Sequence, residues 1–522
     1  MHKRPSFVLF ITDQQRADYL GCYGHPVLRT PNIDSLAANG ICYDRFHVAS
    51  PVCMPNRSSL MTGRMPSAHG VRLNGIPLAL ESVTFVDLLR AAGYRTGLVG
   101  KSHLQNFSGQ PPYSVPREPR VGRQAPAPEN AVAVRRDLGS RNYRQEDPNV
   151  WASERGVLEA PFYGFEHVDL VIGHGDRCAG DYADWVRVRE PEVDRLLGPD
   201  NQLAHDYVCP QAIRTALPEA LHSTSYVRER AVAFLEDVGE APFFLMVSFP
   251  DPHHPFSPPG RFWDLYCPDD MQVPPAFARN DWTPPPHVAA VLEQREQGTA
   301  MLGGKTSIGS TVRESMEAQA LTCGMIAMID EAIGEVLGAL TRAGKANDTV
   351  VLFTTDHGEH LGDHRLLFKG AEQYSQLTRV PFIWSDPEGP SGARSNALGQ
   401  TLDIPATILE RARVERFEGM QGRDLLGEPA RDAAFIQYEH QRPHAGLDGT
   451  PQVHTVVEAK WRMSVYRGQA WGELYDLEHD PDELDNRWSD PAAAAEKARL
   501  MERLVRLEME AIDRSPAPTH TA

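Results

Sequence analysis

The chain is poor in cysteine, and none of its cysteines form a C-x-x-C pair. The cysteines are scattered and odd in number, which argues against a disulfide framework and against a cysteine zinc site. This usage is typical of a reducing compartment, so we predict a cytoplasmic protein. There are seven of them: Cys22, Cys42, Cys53, Cys178, Cys209, Cys267 and Cys323.

Long apolar runs and long basic runs are also missing. The apolar stretch Phe7 to Ile11 is too short for the core of a signal peptide, and no stretch approaches the roughly 20 apolar residues of a membrane span. The formal charge is −18, from 52 basic and 70 acidic residues. A surface of this sign repels phosphate backbones and anionic lipid, so nucleic acid and membranes are excluded as expected partners. An anionic ligand must therefore be held by a local cluster of cations.

What the chain does have is a large apolar fraction arranged in alternating patterns. Its 522 residues are 41% hydrophobic, enough for a large core. Short apolar runs predict buried strands, and amphipathic spacing predicts helices between them. This alternation indicates an α/β fold with a mixed, mostly parallel sheet between helices. The predicted strands are 7–12, 96–99, 243–249, 349–354 and 380–384, and the predicted helices are 32–39, 83–92, 225–238 and 316–342.

Two stretches interrupt this alternation, and the hydrophobic pattern changes again near the end of the chain. Residues 105–224 and 255–312 are rich in Pro, Gly, Arg and charge, and we interpret them as insertions, either lids or variable surface loops. From about residue 435, short alternating segments are followed by a helix near 493–514. The sequence therefore predicts a catalytic domain over 1–430 and a small C-terminal α+β domain over 431–522.

The most informative segment surrounds Cys53. A lone cysteine is most often a buried core thiol, but Pro55 disfavours a helix interior here and Arg57 places a permanent cation close by. The segment resembles the type I sulfatases of the alkaline phosphatase superfamily, in which Cys-x-Pro-x-Arg followed by Leu-x-Thr-Gly directs oxidation of the cysteine to formylglycine. Leu60 and the pair Thr62-Gly63 complete the motif, while Met54 and Asn56 depart from the small residues usual at those positions.

The resemblance implies an alkaline phosphatase-like sandwich, a formylglycine derived from Cys53 and a formylglycine-generating enzyme as maturation partner. The hydrate of such an aldehyde offers two hydroxyl groups. One attacks sulfur or phosphorus to give a covalent ester, and loss of a proton from the other expels the oxyanion as the aldehyde reforms. The family is therefore spared a hydrolysis at sulfur.

Acidic residues at two predicted strand ends are candidate metal ligands. Asp13 ends the first strand, and Asp356-His357 ends the strand near residue 354. An Asp at a strand end is often only a helix cap, but ligands in α/β folds gather at the carboxyl ends of strands. The resemblance implies one divalent metal on Asp13, residue 53, Asp356 and His357. Many sulfatases have Asp-Asp where this chain has Asp13-Gln14, so the ligand types favour manganese, with calcium or zinc as alternatives.

Several cations fit the family pattern for holding the anionic head group. Individually each would be a solvated lysine or a core histidine in most proteins, but together with Arg57 they supply positive charge, a base and an acid. Asn74 fits either a substrate hydrogen bond or an Asn-Gly turn. The resemblance implies catalytic roles for Lys101, His103, His253 and Lys369, with Asn74, Lys101, His253 and Lys369 in contact with substrate; His360, Asp363 and His364 are interpreted as supporting residues.

We therefore predict hydrolysis of a small anionic ester, a sulfate ester with an aryl or small alkyl leaving group, by a homo-oligomer. The alternative is a phosphonate monoester or phosphodiester hydrolase, a sister branch with similar Asp-Gln and Asp-His pairs. That branch usually carries hydroxylic residues where this chain has Lys101 and His103, which favours the sulfatase. A non-catalytic metal-bound binding protein is a third interpretation. The natural leaving group stays open at this point.

Overall fold

A computed structural model describes residues 4–109, 121–127, 140–154, 158–515, 517–518 and 520. Its main feature is a sheet whose described part contains nine strands in the order β11-β2-β10-β8-β1-β6-β3-β4-β5. The strands are β1 (Ser6–Thr12), β2 (Ile41–His47), β3 (Arg95–Gly100), β4 (His167–Ile172), β5 (Ala179–Gly180), β6 (Phe243–Ser248), β8 (Thr349–Thr355), β10 (Phe382–Ser385) and β11 (Ala393–Gln400).

The sheet is mixed and mostly parallel, as the sequence predicts. Strand β1 pairs in parallel with β6 and β8, and β3 pairs in parallel with β4 and β6. Two strands run the other way: β10 is antiparallel to both of its neighbours, and β5 is antiparallel to β4. The central strands are apolar at nearly every position because both faces of the sheet are covered.

Helices cover the two faces, and alternate residues of β1 show this division. Val8 and Phe10 lie in the hydrophobic core under α7 and α10, whereas Phe7, Leu9 and Ile11 lie in the core under α4 and α12. Successive strand residues point to opposite faces, so a single apolar run serves both cores. The helices are α1 (Pro31–Ala38), α2 (Cys53–Thr62), α3 (Pro66–His69), α4 (Phe85–Ala91), α5 (Pro148–Ser153), α6 (Asp181–Arg189), α7 (Ser223–Glu236), α8 (Pro275–Ala278), α9 (Pro286–Glu296), α10 (Val312–Arg342), α11 (Ser375–Thr378), α12 (Asp403–Ala412) and α13 (Ala494–Glu510).

The region 105–224 differs from the predicted insertion because part of it belongs to the central sheet. Strand β4 extends the sheet beyond β3, with Gly97 opposite His167 and Gly100 opposite Leu170. The run HVDLVI is short and has charged and Gly-rich flanks, so the sequence pattern did not predict a strand here. Residues 110–120, 128–139 and 155–157 of this predicted insertion lie outside the described residues.

The region 255–312 is tied to the catalytic domain by a small strand pair. Strand β7 (Ile308–Gly309) is antiparallel to β9 (Leu366–Leu367), with Ile308 opposite Leu367. Helices α8 and α9 precede this pair. The region is therefore anchored beside residues 366–370, which follow the strand end of β8.

A small antiparallel sheet and one long helix follow, in agreement with the predicted C-terminal α+β unit. Leu500, Leu504 and Leu507 of α13 pack on this sheet, while Ala434 and Ile436 of its first strand belong to the core that also contains Phe7. The domain boundary near residue 430 stays a prediction. The strands are β12 (Ala434–Glu439), β13 (Gln452–Val457), β14 (Trp461–Tyr466) and β15 (Gly472–Asp476).

No helix in the described ranges is both long enough and apolar enough to cross a lipid bilayer.

Candidate active site

The candidate residues lie at one edge of the sheet because their strands are neighbours. Asp13 follows β1 and Asp356 follows β8, and these strands pair in parallel. Lys101 follows β3, and His253 lies in the loop after β6, which pairs with both β1 and β3. Parallel pairing brings these carboxyl ends together, so residues far apart in sequence share one cleft.

Helix α2 delivers Cys53 to this edge. Cys53 is the first helical residue, after the extended Val52, and the helix ends at Gly63, which has a left-handed φ of 64°. Pro55 therefore lies in the first turn, where a missing N–H costs no intrahelical hydrogen bond. Cys53 is not in a helix interior, as expected from Pro55.

The four predicted metal ligands converge. One donor atom from each of Asp13, Cys53, Asp356 and His357 lies within 4.8 Å of the others, and all four residues are buried. Cys53 Sγ lies 3.1 Å from His357 Nε2 and 4.0 Å from Asp13 Oδ1. The atom Sγ marks where an oxygen of the formylglycine hydrate would lie.

The donor set fits a divalent cation. Two carboxylates and an imidazole meet in a buried cluster, and buried carboxylates need a compensating positive charge. Burial is the main cause that lowers the pKa of His357 to about 3, so the imidazole is neutral, the form that coordinates metals. Burial raises the pKa of the Cys53 thiol, although the charge of Lys369 opposes this. A neutral thiol is a poor nucleophile, which fits conversion of this residue to formylglycine.

Arg57 fixes the orientation of the carboxylates. Its Nε donates to Asp356 Oδ2 at 2.8 Å, and its Nη2 lies 3.6 Å from Asp13 Oδ2. Nη1 donates to the carbonyl of Lys101 and to Ser248 Oγ. Burial acts against ionisation of Asp356, but neighbouring cations, Arg57 and Lys101 among them, outweigh it and hold the pKa of Asp356 below its ordinary value.

Lys101 and His103 lie in the loop after β3, where Lys101 reaches Asp13. Lys101 is completely buried and its Nζ contacts Asp13 Oδ2. Burial lowers the pKa of Lys101 to about 7. His103 has a left-handed φ of 59° and stacks on Phe107 with ring centroids 3.7 Å apart. Burial, followed by the charge of Lys101, lowers the pKa of His103 well below its ordinary value.

Lys369 and the neutral imidazole of His253 form a second hydrogen-bonded pair in the cleft. Lys369 Nζ donates to His253 Nε2 at 2.9 Å and also contacts Gln14 Oε1. The preference for His253 over His254 agrees with this placement, because His254 instead contacts the side chain of Gln14. The backbone N–H of Gln14 donates to Asp356 Oδ1 at 3.1 Å. Gln14, which stands where many sulfatases have a second Asp, therefore helps to orient the Asp356 carboxylate.

The remaining predicted residues are near the cluster but outside it. Asn74 Oδ1 accepts a hydrogen bond from the N–H of Met54 at 3.1 Å, next to Cys53. The three residues interpreted as supporting contact other groups: His360 lies near Glu372, Asp363 pairs with Arg16, and His364 stacks on Tyr374.

Two polar residues of the site were missed in the sequence. His174 follows β4, its Nε2 lies 2.8 Å from Lys101 Nζ, and its ring stacks on His253 at 3.6 Å. The oxygens of Glu146 accept hydrogen bonds from the backbone N–H groups of His103 and Gln105 at 2.6 and 2.5 Å. His174 could have been identified from its position after a strand, but no sequence pattern near Glu146 indicates a role in the site.

Asp13, His174 and His253 also lie close enough to hold a cation. The ammonium groups of Lys101 and Lys369 already donate to these imidazoles at 2.8 and 2.9 Å. Two positive charges at this position disfavour a further metal ion. We therefore assign the imidazoles to orienting the two lysines.

The family model described as Sulfatase matches residues 5–414. The chain belongs to the sulfatase family. It is thus a sulfuric ester hydrolase of the alkaline phosphatase superfamily, and its family in general uses formylglycine and a divalent metal. A second model, the C-terminal region of N-sulphoglucosamine sulphohydrolase, matches residues 362–510 of this sulfatase.

Individual relatives span nearly the whole sulfatase. It is 28% identical to an arylsulfatase of Clostridium perfringens, over 92% of this chain and 90% of that protein. It is 26% identical to the multifunctional alkaline phosphatase superfamily protein PehA of Trinickia caryophylli, over 94% and 93%. Among solved structures, the phosphonate monoester hydrolase of Agrobacterium radiobacter superposes with a TM-score of 0.76 at 25% identity, covering 99% of this chain and 98% of that one.

Proposed function

We propose that this sulfatase cleaves aryl or small alkyl sulfate esters, with the formylglycine derived from Cys53 as nucleophile. The observation that carries this proposal is the buried convergence of Asp13, Cys53, Asp356 and His357, flanked by the lysines 101 and 369. A non-catalytic binding protein would not need a nucleophile, a metal cluster and two placed cations in one cleft.

Formylglycine and a divalent ion would supply the nucleophile and its activation. Formylglycine, as its hydrate, offers one hydroxyl for attack and a second for release of sulfate. A divalent ion held by Asp13, Asp356, His357 and residue 53 would act as a Lewis acid on the substrate oxygens. Two carboxylates and one imidazole favour manganese, with calcium or zinc as alternatives.

The protein's own side chains bind the ester and move its protons. The ammonium groups of Lys101 and Lys369 contact the stacked imidazoles of His174 and His253 and neutralise the outer oxygens of the sulfate. Asn74, fixed by the N–H of Met54, is placed to donate its amide N–H groups to the same head group. Arg57 holds both carboxylates in the required orientation.

His103 and Lys369 are proposed as the proton carriers. His103 Nδ1 is buried and has no hydrogen-bond partner in the described part of the chain, so it is available to take a proton at the release step. His253 Nδ1 lies 2.5 Å from the carbonyl of His254, and its Nε2 faces Lys369. In this tautomer Nε2 accepts from the Lys369 ammonium, so Lys369 is the group that delivers a proton to the leaving oxygen, and His253 orients it.

Phosphonate monoester or phosphodiester hydrolysis is the second candidate. It is favoured by the Asp13-Gln14 and Asp356-His357 pairs and by the likeness to the phosphonate monoester hydrolase. Lys101 and His103 favour the sulfate ester, because the sister branch usually carries hydroxylic residues at these two positions.

A direct competition separates the two candidates. The native enzyme, with formylglycine and metal in place, is given nitrophenyl sulfate and a nitrophenyl phosphonate monoester, and kcat/KM is measured for each. We expect a higher kcat/KM for the sulfate ester. A higher value for the phosphorus ester would contradict the sulfate assignment while leaving the nucleophile assignment intact.

The proposal also covers how the enzyme matures, its oligomeric state and its location in the cell. Cys53 requires a formylglycine-generating enzyme as a partner, and peptide mass spectrometry across Cys53 tests this directly. We also propose a homo-oligomer in the cytoplasm, the latter from the unpaired cysteines of the chain. Sedimentation of the purified enzyme measures the oligomeric state.

A further inference from the structure

Glu372 is a completely buried carboxylate three residues after Lys369, and it joins segments from distant parts of the chain. Ser307, before β7, donates a hydrogen bond to Glu372 Oε1 at 2.9 Å. His444, from the loop between β12 and β13, places its Nε2 3.1 Å from the same oxygen. On the other side, His360 Nε2 lies 3.6 Å from Glu372 Oε2. One side chain therefore meets three other segments beside the lysine loop.

Glu372 and His444 form a buried ion pair. His444 Nδ1 donates to the carbonyl of Ala445 at 2.9 Å. Burial acts to lower the pKa of His444, but the charge of Glu372 and the hydrogen bond to it outweigh burial and raise this pKa above its ordinary value. Burial also acts against ionisation of Glu372, but His444 outweighs it and holds the pKa of Glu372 well below its ordinary value. Apolar residues of the same volume would stabilise the fold as well as such a pair, so its geometry is what distinguishes it.

Lys369 lies between two residues whose backbone is fixed. Before it, Phe368 has a left-handed φ of 69°, and its carbonyl accepts a hydrogen bond from the N–H of His360 at 3.3 Å. After it, Gly370 lies so close to Glu372 Oε2 that a Cβ atom at Gly370 would collide with this oxygen. The same oxygen has no hydrogen-bond partner in the described ranges. The carboxylate of Glu372 is therefore packed directly against the backbone that carries Lys369.

The position of the Lys369 ammonium matters because this group delivers the proton in the proposed function. As the S–O bond breaks, its electron pair goes to the leaving oxygen, and the ammonium gives that oxygen a proton. At its tip, Lys369 is oriented by His253 Nε2 at 2.9 Å and by Gln14 Oε1. These contacts hold the ammonium only if the backbone of the lysine stays in place. A misplacement of about 1 Å can cost about 100-fold in rate.

We infer that Glu372 is a positioning residue for Lys369, and that Ser307 and His444 hold its carboxylate in place. Glu372 acts through the backbone at Gly370 and sets where the ammonium meets the leaving oxygen. This inference rests on the proposed function and adds a residue that the reaction depends on. Glu372 then matters most for esters whose leaving group is basic and needs the proton, and least for nitrophenyl sulfate, whose leaving group is stable as an anion.

The test uses a series of aryl sulfates whose ring substituents, from nitro through hydrogen to methoxy, make the leaving phenol progressively less acidic. The ratio kcat/KM is measured for the native enzyme and for Glu372→Gln, which keeps the side-chain volume and removes the charge opposite His444. We expect a loss that grows along the series and reaches about 100-fold with the methoxyphenyl ester. A plot of log kcat/KM against the pKa of the phenol should therefore be steeper for the variant.

Further variants show whether Glu372 acts through Lys369. In an enzyme that already carries Lys369→Ala, Glu372→Gln should add no further dependence on the leaving group, because the proton donor is gone. Ser307→Ala removes only the hydroxyl that donates to Glu372, and it should steepen the plot in the same direction by a smaller amount. This milder variant carries the test if Glu372→Gln does not fold.

Glu317→Gln is the matched control. Glu317 is also a buried carboxylate, but it accepts hydrogen bonds from the backbone N–H groups of Val208 and Cys209, both at 2.7 Å, instead of contacting the lysine loop. Its replacement should lower the temperature of thermal unfolding and leave the slope of the plot at the native value. The comparison separates a loss of stability from a loss of positioning.

The inference and the proposed function fail in different ways. If Glu372→Gln and Ser307→Ala slow all aryl sulfates by the same factor, or if Glu372→Gln steepens the plot equally with and without Lys369, the positioning role is wrong and the proposed function stands. If the matured native enzyme cleaves none of the aryl sulfates, the proposed function is wrong and the inference falls with it.

Discussion

At the scale of single residues, the decisive feature is that the nucleophile and the metal ligands share one buried cluster. Cys53 lies within 4 Å of both His357 and Asp13. A substitution here acts on chemistry more than on packing, because Cys53 begins a helix and its side chain faces the cleft.

Replacement of Cys53 by Ala should remove nearly all turnover and leave the fold intact. Loss of a nucleophile typically costs about 10³-fold or more in kcat. The measurement is kcat on nitrophenyl sulfate, with thermal unfolding as the check on folding. Cys267→Ala, at an exposed thiol, is the control and should be fully active. A Cys53→Ala enzyme with substantial activity would contradict the nucleophile assignment.

Asp356→Asn should lose metal and activity together. A neutral amide is a weaker ligand than a carboxylate, and the change also takes a charged partner from Arg57. We expect metal content below about a tenth of the native value, measured by elemental analysis beside kcat. Asp44→Asn, which alters an ion pair with Arg394 away from the site, is the control. Full metal occupancy in Asp356→Asn would count against the ligand set.

His103→Ala should separate formation of the covalent ester from its release. If His103 takes the proton at the release step, the variant still reacts once with substrate. Rapid-mixing kinetics should then show an initial burst followed by a steady rate reduced about 10² to 10⁴-fold. Equal loss of burst and steady rate would assign His103 to substrate binding instead.

At the scale of elements, the region 105–224 takes part in building the site. Strand β4 delivers His174, and Glu146 fixes the loop after β3 through the backbone N–H groups of His103 and Gln105. This loop needs support because His103 has a left-handed φ, a conformation that costs about 1 kcal/mol or more outside glycine. Burial raises the pKa of Glu146 to about 7, although its backbone hydrogen bonds oppose the shift.

Glu146→Gln tests this support without changing side-chain volume. The amide keeps one acceptor oxygen but points an NH₂ group at the other backbone N–H, which should cost about 1–3 kcal/mol. We expect kcat to fall about 10-fold with less effect on metal content, because Asp13 and Asp356 are untouched. Glu154→Gln, at an exposed ion pair of the same region, is the control. Unchanged kcat would show that the loop holds its form without Glu146.

At the scale of the whole molecule, the C-terminal sheet is part of the same core as the catalytic sheet. Ala434, Ile436 and Val457 share a hydrophobic cluster with Phe7. Phe435 and Gln400 are joined by two hydrogen bonds, and the N–H of Gln437 donates to the carbonyl of Ala49. His444, which contacts Glu372, comes from the loop between β12 and β13 of this sheet.

A chain ended after residue 430 should therefore fail to fold alone. Removing β12 exposes apolar residues of the main core and leaves buried backbone groups without partners. Circular dichroism and soluble yield measure the outcome. A chain ended after residue 514 keeps α13 and serves as the control. A folded, soluble 1–430 chain would show that the two predicted domains are independent.

The sequence by itself determined the elements and the reactive residues that local patterns encode. Apolar runs and amphipathic spacing predicted β1, β3, β6, β8 and α10, because burial of a strand or helix face requires that period. The Cys53 motif and the acidic ends of two strands led to the metal cluster. Parallel strands share a carboxyl edge, so a strand-end position alone was enough to expect Asp13 and Asp356 to lie close together.

The tertiary structure alone decided what joins distant segments. Glu146 reaches His103 through backbone N–H groups, and a backbone contact leaves no mark on the residue types around it. Strand β4 entered the sheet because β3 offered an unpaired edge, which its short and charged surroundings did not reveal. The meeting of Ser307, Glu372 and His444 depends on the pairing of β7 with β9, because long-range packing brings together side chains that no local period relates.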